Sequence, residues 1–259
     1  MHSFFIVLRY EFFLLFISPS TYIASFYFIT LLGVGFKFFL EVFSYSDWIL
    51  PPLSSLVVGL FFGAPALIPF LTMRSFSEER KLGTLETLLT TPTNIGIIVL
   101  GKWLACFTFY IIICTLSFLF PLILIYIFPE QSFNLGFHDY GNWIGCTIFL
   151  IIYGASFTAV GIFSSTITKS QMVAGMLSFT LITIYISIMA LSINYGNSYS
   201  VNDQISKVLL DCIIPVTQGL EKLEQFSVGF IDTSTILHQL VLTIFFLVLS
   251  TIQISRLYR

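Results

Sequence analysis

Between two long apolar runs, the segment from Thr72 to Pro92 gathers three cations, Arg74, Arg80 and Lys81, and three carboxylates, Glu78, Glu79 and Glu86. Mixed charges at this density serve recognition rather than bond-making. On a helix, Arg74, Glu78 and Lys81 fall at i, i+4 and i+7 and form one charged stripe, with Met73 and Phe76 on another side. Gly83 interrupts the pattern. Thr84 then suits an N-cap, Glu86 sits in the first turn near the positive helix end, and Leu85, Leu88 and Leu89 make an apolar stripe that Pro92 stops. The spacing predicts two short helices meeting at Gly83. A solvated loop with a few ion pairs is the plainer reading of such charges, but the leucine stripe argues against it. The segment reads as a surface built to touch another protein.

Other candidates for chemistry fail on their spacing. Gly96 to Lys102 resembles a phosphate-binding loop, yet Trp103 stands where that loop needs Ser or Thr, and its central residues are apolar. Lys102 is better read as an interfacial anchor. His2, His138 and His238 are isolated, and no pair of metal-ligand residues has zinc-site spacing. His238 is expected to be a packed or interfacial histidine. No nucleophile elbow or nucleophile–base constellation is present. The chain is therefore expected to have no catalytic site, metal or cofactor of its own.

The elements that must carry the segment are membrane spans. The chain is 57% hydrophobic and 9% charged over 259 residues, with a mean hydropathy of +0.96, outside the balance of a soluble domain. Six apolar stretches have the length a helix needs to cross the hydrocarbon layer: Tyr22 to Leu40, Ile49 to Met73, Ile95 to Phe128, Asn142 to Ile167, Met172 to Ile193, and Ile236 to Ile254. Without period-two alternation they cannot form a barrel, so the expectation is an all-α protein with six transmembrane helices in a single domain, residues 1–259. Residues 1–18 are too short to span and suit an interfacial helix, which Ser18-Pro19-Ser20 breaks from the first span. A first span kinked at Pro19 is the alternative. With both termini in the cytoplasm, Arg9, Arg74, Arg80, Lys81, Lys102, Lys169, Arg256 and Arg259 lie inside, against Lys207 and Lys222 outside. Lys37, near the outer end of the first span, can snorkel.

Four prolines, Pro51, Pro52, Pro65 and Pro69, load the second span, alongside Gly59 and Gly63 at close-packing spacing. That glycine pair, like Gly141 and Gly145, marks either a helix-packing face or a dimer seam. The external loop, residues 194–235, is expected to carry an amphipathic helix from Val201 to Ile214 and a second from Thr217 to Phe226, forming a lid, with Asp232 capping the last span. Cys106, Cys114, Cys146 and Cys212 are expected to be free thiols, and no cleavable signal is evident. A net charge of -2 gives no reason to expect nucleic acid as a partner; membrane lipids are the expected surroundings.

The string from Met73 to Pro92, in which acidic and basic residues precede Gly83-Thr84, Glu86, Leu88-Leu89 and Pro92, followed by Gly101-Lys102-Trp103, resembles the first cytoplasmic loop of ABC-2 type transporter permeases. Arg9-Tyr10-Glu11 with Phe16 to Ile23 is similar to the start of the branch that includes gliding-motility and copper-processing permeases. Glu224 to Asp232 resembles the segment before that branch's last helix.

The resemblance implies a multi-pass permease of the inner (cytoplasmic) membrane, working with a separate ABC ATPase that binds ATP and magnesium. It implies a second permease, as a homodimer or with a related chain. It implies export driven by the ATPase, with residues 74–92 as the coupling loop and Arg74, Glu78, Glu79, Arg80, Lys81, Gly83, Thr84, Glu86 and Pro92 as the coupling residues. A self-sufficient channel or secondary carrier is the alternative, but it calls for polar lining within the spans, which the sequence hardly provides.

Overall fold

The computed structural model describes residues 2–45, 52–85, 94–129, 137, 139–196, 222–223, 225–226 and 228–257. Helix α1 is His2–Ile17 and α2 is Pro19–Tyr45; α3 is Pro52–Thr72 and α4 the short Ser77–Leu82. Then follow α5, Ile95–Ser117, α6, Leu119–Ile127, α7, Tyr140–Ile167, α8, Gln171–Gly196, and α9, Thr233–Leu257. Six stretches are long and apolar enough to cross a membrane: Pro19–Glu41, Leu53–Leu82, Ile95–Ile127, Tyr140–Ile167, Gln171–Ile188 and Thr233–Arg256. They match the six expected spans in order, and no strand occurs among the described residues.

Local chemistry explains the breaks. Thr21 is fully buried and its hydroxyl donates to the Leu15 carbonyl (2.6 Å) and the Ser18 carbonyl (2.7 Å). It thereby satisfies carbonyls that the end of α1 leaves open, and the chain turns at Ser18 into α2. Within the third crossing, α5 gives way to α6 at Phe118. Pro121 lacks an N–H for the Ser117 carbonyl four residues back, and its ring crowds that carbonyl.

The bundle is built around α7, which packs against α3, α5, α8 and α9. Its most apolar window is 67% buried, whereas that of α2 is 17% buried and leaves Ile23, Phe26 and Val34 exposed. Small residues put α7 at the centre. A side chain at Gly154 would meet the Tyr110 ring at 2.1 Å, and one at Gly161 would meet the Thr72 hydroxyl at 2.4 Å. Glycine here lets α5 and α3 approach its backbone. The hydroxyls of Ser156, Thr158, Ser164 and Ser165 are buried but donate to carbonyls of their own helix, so α7 carries no unpaired hydroxyl among them.

The Gly59 and Gly63 pair turns out to serve contact within the chain. Leu32 and Phe28 of α2 fill the space where their side chains would stand, at 3.1 and 2.4 Å. Gly141 and Gly145 likewise receive the segment before α9: a side chain on Gly145 would lie 1.8 Å from the Phe226 carbonyl oxygen. Phe226 and Leu223 are buried in the main core, where Phe226 meets the Phe149 ring edge-on at 5.9 Å. This stretch is thus wedged into the bundle. The expected helix from Val201 to Ile214 and Cys212 lie outside the described residues; Cys106, Cys114 and Cys146 are free and buried. Asp232 caps α9 as expected, accepting from the Ser234 backbone N–H (3.0 Å) and hydroxyl (2.8 Å).

Candidate functional site

The charged segment leaves α3 through a turn at residues 73–76 and enters α4. Gly83, with φ of 72°, ends α4 in the left-handed conformation that glycine adopts at least cost. Residues 84 and 85 are helical again, and Leu85 is buried in a second apolar cluster with Phe76, Ile98, Val99, Ala159 and Ile162. Only Leu85 of the predicted leucine stripe falls within the described residues. Glu86 and Pro92 also lie outside them.

Burial divides the predicted residues into two sets. Lys81, Gly83 and Thr84 are exposed, as is Leu82. They form the outward side of the elbow, although Leu82 and Thr84 also border the cleft lined by Arg74 and Glu78. Arg74, Glu78, Glu79 and Arg80 are half-buried and turned toward the bundle. The expected single stripe is therefore divided, because Arg74 and Glu78 line an inner cleft while Lys81 does not.

Three of the inward groups are tied to different parts of the bundle. Arg80 donates from Nη1 to the Thr166 carbonyl at 2.6 Å, with the Thr168 carbonyl at 3.5 Å. It places a cation on the open carbonyls at the end of α7, where the helix dipole favours positive charge. Arg74 donates from Nη1 to Ser18 Oγ at 2.6 Å, at the joint between α1 and α2. Glu79 reaches α5: its Oε1 lies 2.8 Å from Lys102 Nζ.

Lys102 overturns its reading as an interfacial anchor. It is 1% exposed, and its ammonium donates to Glu11 Oε1 of α1 (2.5 Å), the Ser75 carbonyl (2.7 Å) and Glu79 Oε1 (2.8 Å). All three of its donors are used. Phe76 closes a fourth side, with its ring centroid 4.9 Å from Nζ. The geometry also disposes of the phosphate-loop likeness: Gly96 to Lys102 is helical, and a side chain on Gly101 would meet Val7 of α1 at 3.0 Å. A charge on α5 about 10 Å from the helix start must find partners inside the protein, and the lone carboxylate Glu11 in the apolar α1 has the same need. That shared need was the signal in the sequence for residues its loop motif alone did not name.

The elbow joining the second and third crossings thus holds α1, α5 and α7 together through side chains it sends inward, while presenting Lys81 to Thr84 outward. The family model described as ABC-2 family transporter protein matches residues 12–258. The chain belongs to this family. It is a membrane subunit of an ABC transporter, multi-pass, and the elbow lies between the second and third crossings of that permease. No curated protein matches the permease.

Proposed function

We propose that the permease takes its energy from a separate ABC ATPase, which binds ATP and magnesium and docks on the outward side of the elbow at Lys81, Leu82 and Thr84. The observation that carries the reading is the Lys102 cluster: one ammonium holds the elbow (Glu79, Ser75), the first helix (Glu11) and the third crossing (α5) in one buried unit. Force on α4 is then passed to α1 and α5 through Lys102, and to α7 through Arg80, as a rigid-body movement. In this reading α1 lies in the inner interface, both termini are cytoplasmic, and the membrane is the inner one.

A second permease subunit, identical or related, completes the transporter, and the direction is export. The extensive apolar exposure of α2 supports a neighbour on that side, since Phe26, Tyr27 and Phe38 are all more than half exposed.

The test is reconstitution with the ATPase that copurifies. Replacing Lys81 with Glu and Leu82 with Asp on the exposed side is expected to abolish permease-stimulated ATP hydrolysis without lowering the melting temperature of the permease alone. Retained stimulation in that double variant overturns docking at this surface. A chain that moves solute without any hydrolysing companion overturns the whole reading in favour of a self-sufficient carrier.

A further inference from the structure

A cavity of about 740 Å³ opens between α1 and the elbow, bounded behind by α5. One wall is apolar, made by Leu14, Ile17 and Leu71; the other carries Arg74, Glu78 and Glu79. This size is in the range of small-molecule sites. Three carboxylates and two cations line it in all, and Lys102 has no donor left for a ligand. The surplus is negative, which disfavours an anion such as free phosphate.

Three polar atoms of residues lining this cavity are left without partners by the protein: Ser75 Oγ and, of opposite character, one atom each of Arg74 and Glu79. Arg74 Nε is a buried donor with no acceptor, and Glu79 Oε2 is a buried acceptor with no donor. Unpaired groups of this kind are costly, so an occupant that draws the two side chains around it gains affinity. It must supply an acceptor to a guanidinium and a hydrogen-bonding cation to carboxylates. A phosphate joined to a primary ammonium has both. The apolar wall selects the lipid form of that zwitterion: Leu14 and Ile17 are 42% and 59% exposed, and Tyr22 and Ile23, which follow in the chain at the start of α2, are exposed as well, apolar surface on which acyl chains can lie.

We propose that this cavity binds the head group of an aminophospholipid, its phosphate on Arg74 and its ammonium between Glu78 and Glu79, with its chains along α1 and α2. The site does not require the ATPase, so it stands or falls separately from the coupling reading. Native mass spectrometry of the full chain, titrated with phosphatidylethanolamine, phosphatidylcholine and phosphatidylglycerol, tests it directly.

One phosphatidylethanolamine is expected to be retained per chain, about tenfold more tightly than either competitor, because choline has no N–H to donate and glycerol no charge. Arg74→Gln and Glu78→Gln are each expected to erase that preference, and Val241→Ala, on the exposed face of α9, to keep it. Equal retention of the three lipids by the unaltered chain overturns the proposal, whatever the variants do. Displacement of the lipid by soluble phosphoethanolamine at equal concentration overturns the lipid as the source of the zwitterion.

Discussion

The two ends of the bundle are closed in opposite ways. At the elbow end, helices are joined by buried charge: Lys102 with Glu11 and Glu79, and Arg80 on the end of α7. At the other end, the segment before α9 is wedged in by shape, with Phe226 against Phe149 and its backbone against Gly145, and the ion pairs described there, Lys222 with Asp232 and Lys37 with Glu41, are open to water in part or in full. Buried ion pairs add little net stability, because desolvation offsets their attraction, but breaking one leaves a charge stranded. Apolar packing carries no charge to strand. An end that must move as a unit benefits from the first kind of joint, and an end that need only stay shut from the second.

Removing one partner from each end separates these cases. Lys102→Met strands two carboxylates and is expected to destabilise the fold by about 3–5 kcal/mol, read as a loss of melting temperature in detergent. Adding Glu11→Gln and Glu79→Gln to that variant is expected to recover most of the loss, since the stranded charges are then gone. At the opposite end, Gly145→Ala sets a methyl into the Phe226 backbone and is expected to cost about 1–3 kcal/mol, with no recovery from any change of charge.

Smaller effects sharpen the contrast. Arg80→Ala uncaps α7 and is expected to cost about 1–2 kcal/mol. Under the proposed function it also lowers ATPase stimulation, whereas Gly145→Ala at comparable stability does not; equal loss in both would break the comparison. Lys222→Ala is expected to cost at most about 1 kcal/mol, and less at high salt. The hydrogen bonds from Lys222 and Ser234 hold the Asp232 carboxyl below the usual carboxylate range. Its folded pKa is thus the lower one, so this contribution is present above the ordinary carboxylate pKa and fades as the pH falls below it. Melting curves of Lys222→Ala and the unaltered chain are expected to converge on acidification.

Much of the fold was legible before any coordinates. Unbroken apolar runs of spanning length can only be helices in lipid, and all six were found in order. The break at Ser18 and the cap at Asp232 were also legible, because proline and an aspartate before a helix act on their immediate neighbours. The site was legible only as a segment. Its charge pattern marked the elbow, but Lys102 was misplaced at the surface, since nothing in residues 95–103 says that Glu11, far off in the chain, will stand 2.5 Å from its ammonium.

Local chemistry, then, was set by the sequence: which stretches enter the membrane, where they break, and where polar groups gather. What required the tertiary structure was the assignment of partners. Gly59 and Gly63 could have served another copy and instead admit Leu32 and Phe28; Arg74, Glu79 and Arg80 stand close together in the string and yet reach the α1–α2 joint, α5 and the end of α7. Helix formation depends on neighbours within a few residues, whereas pairing a buried charge or filling a glycine's gap depends on whichever distant helix the bundle brings alongside.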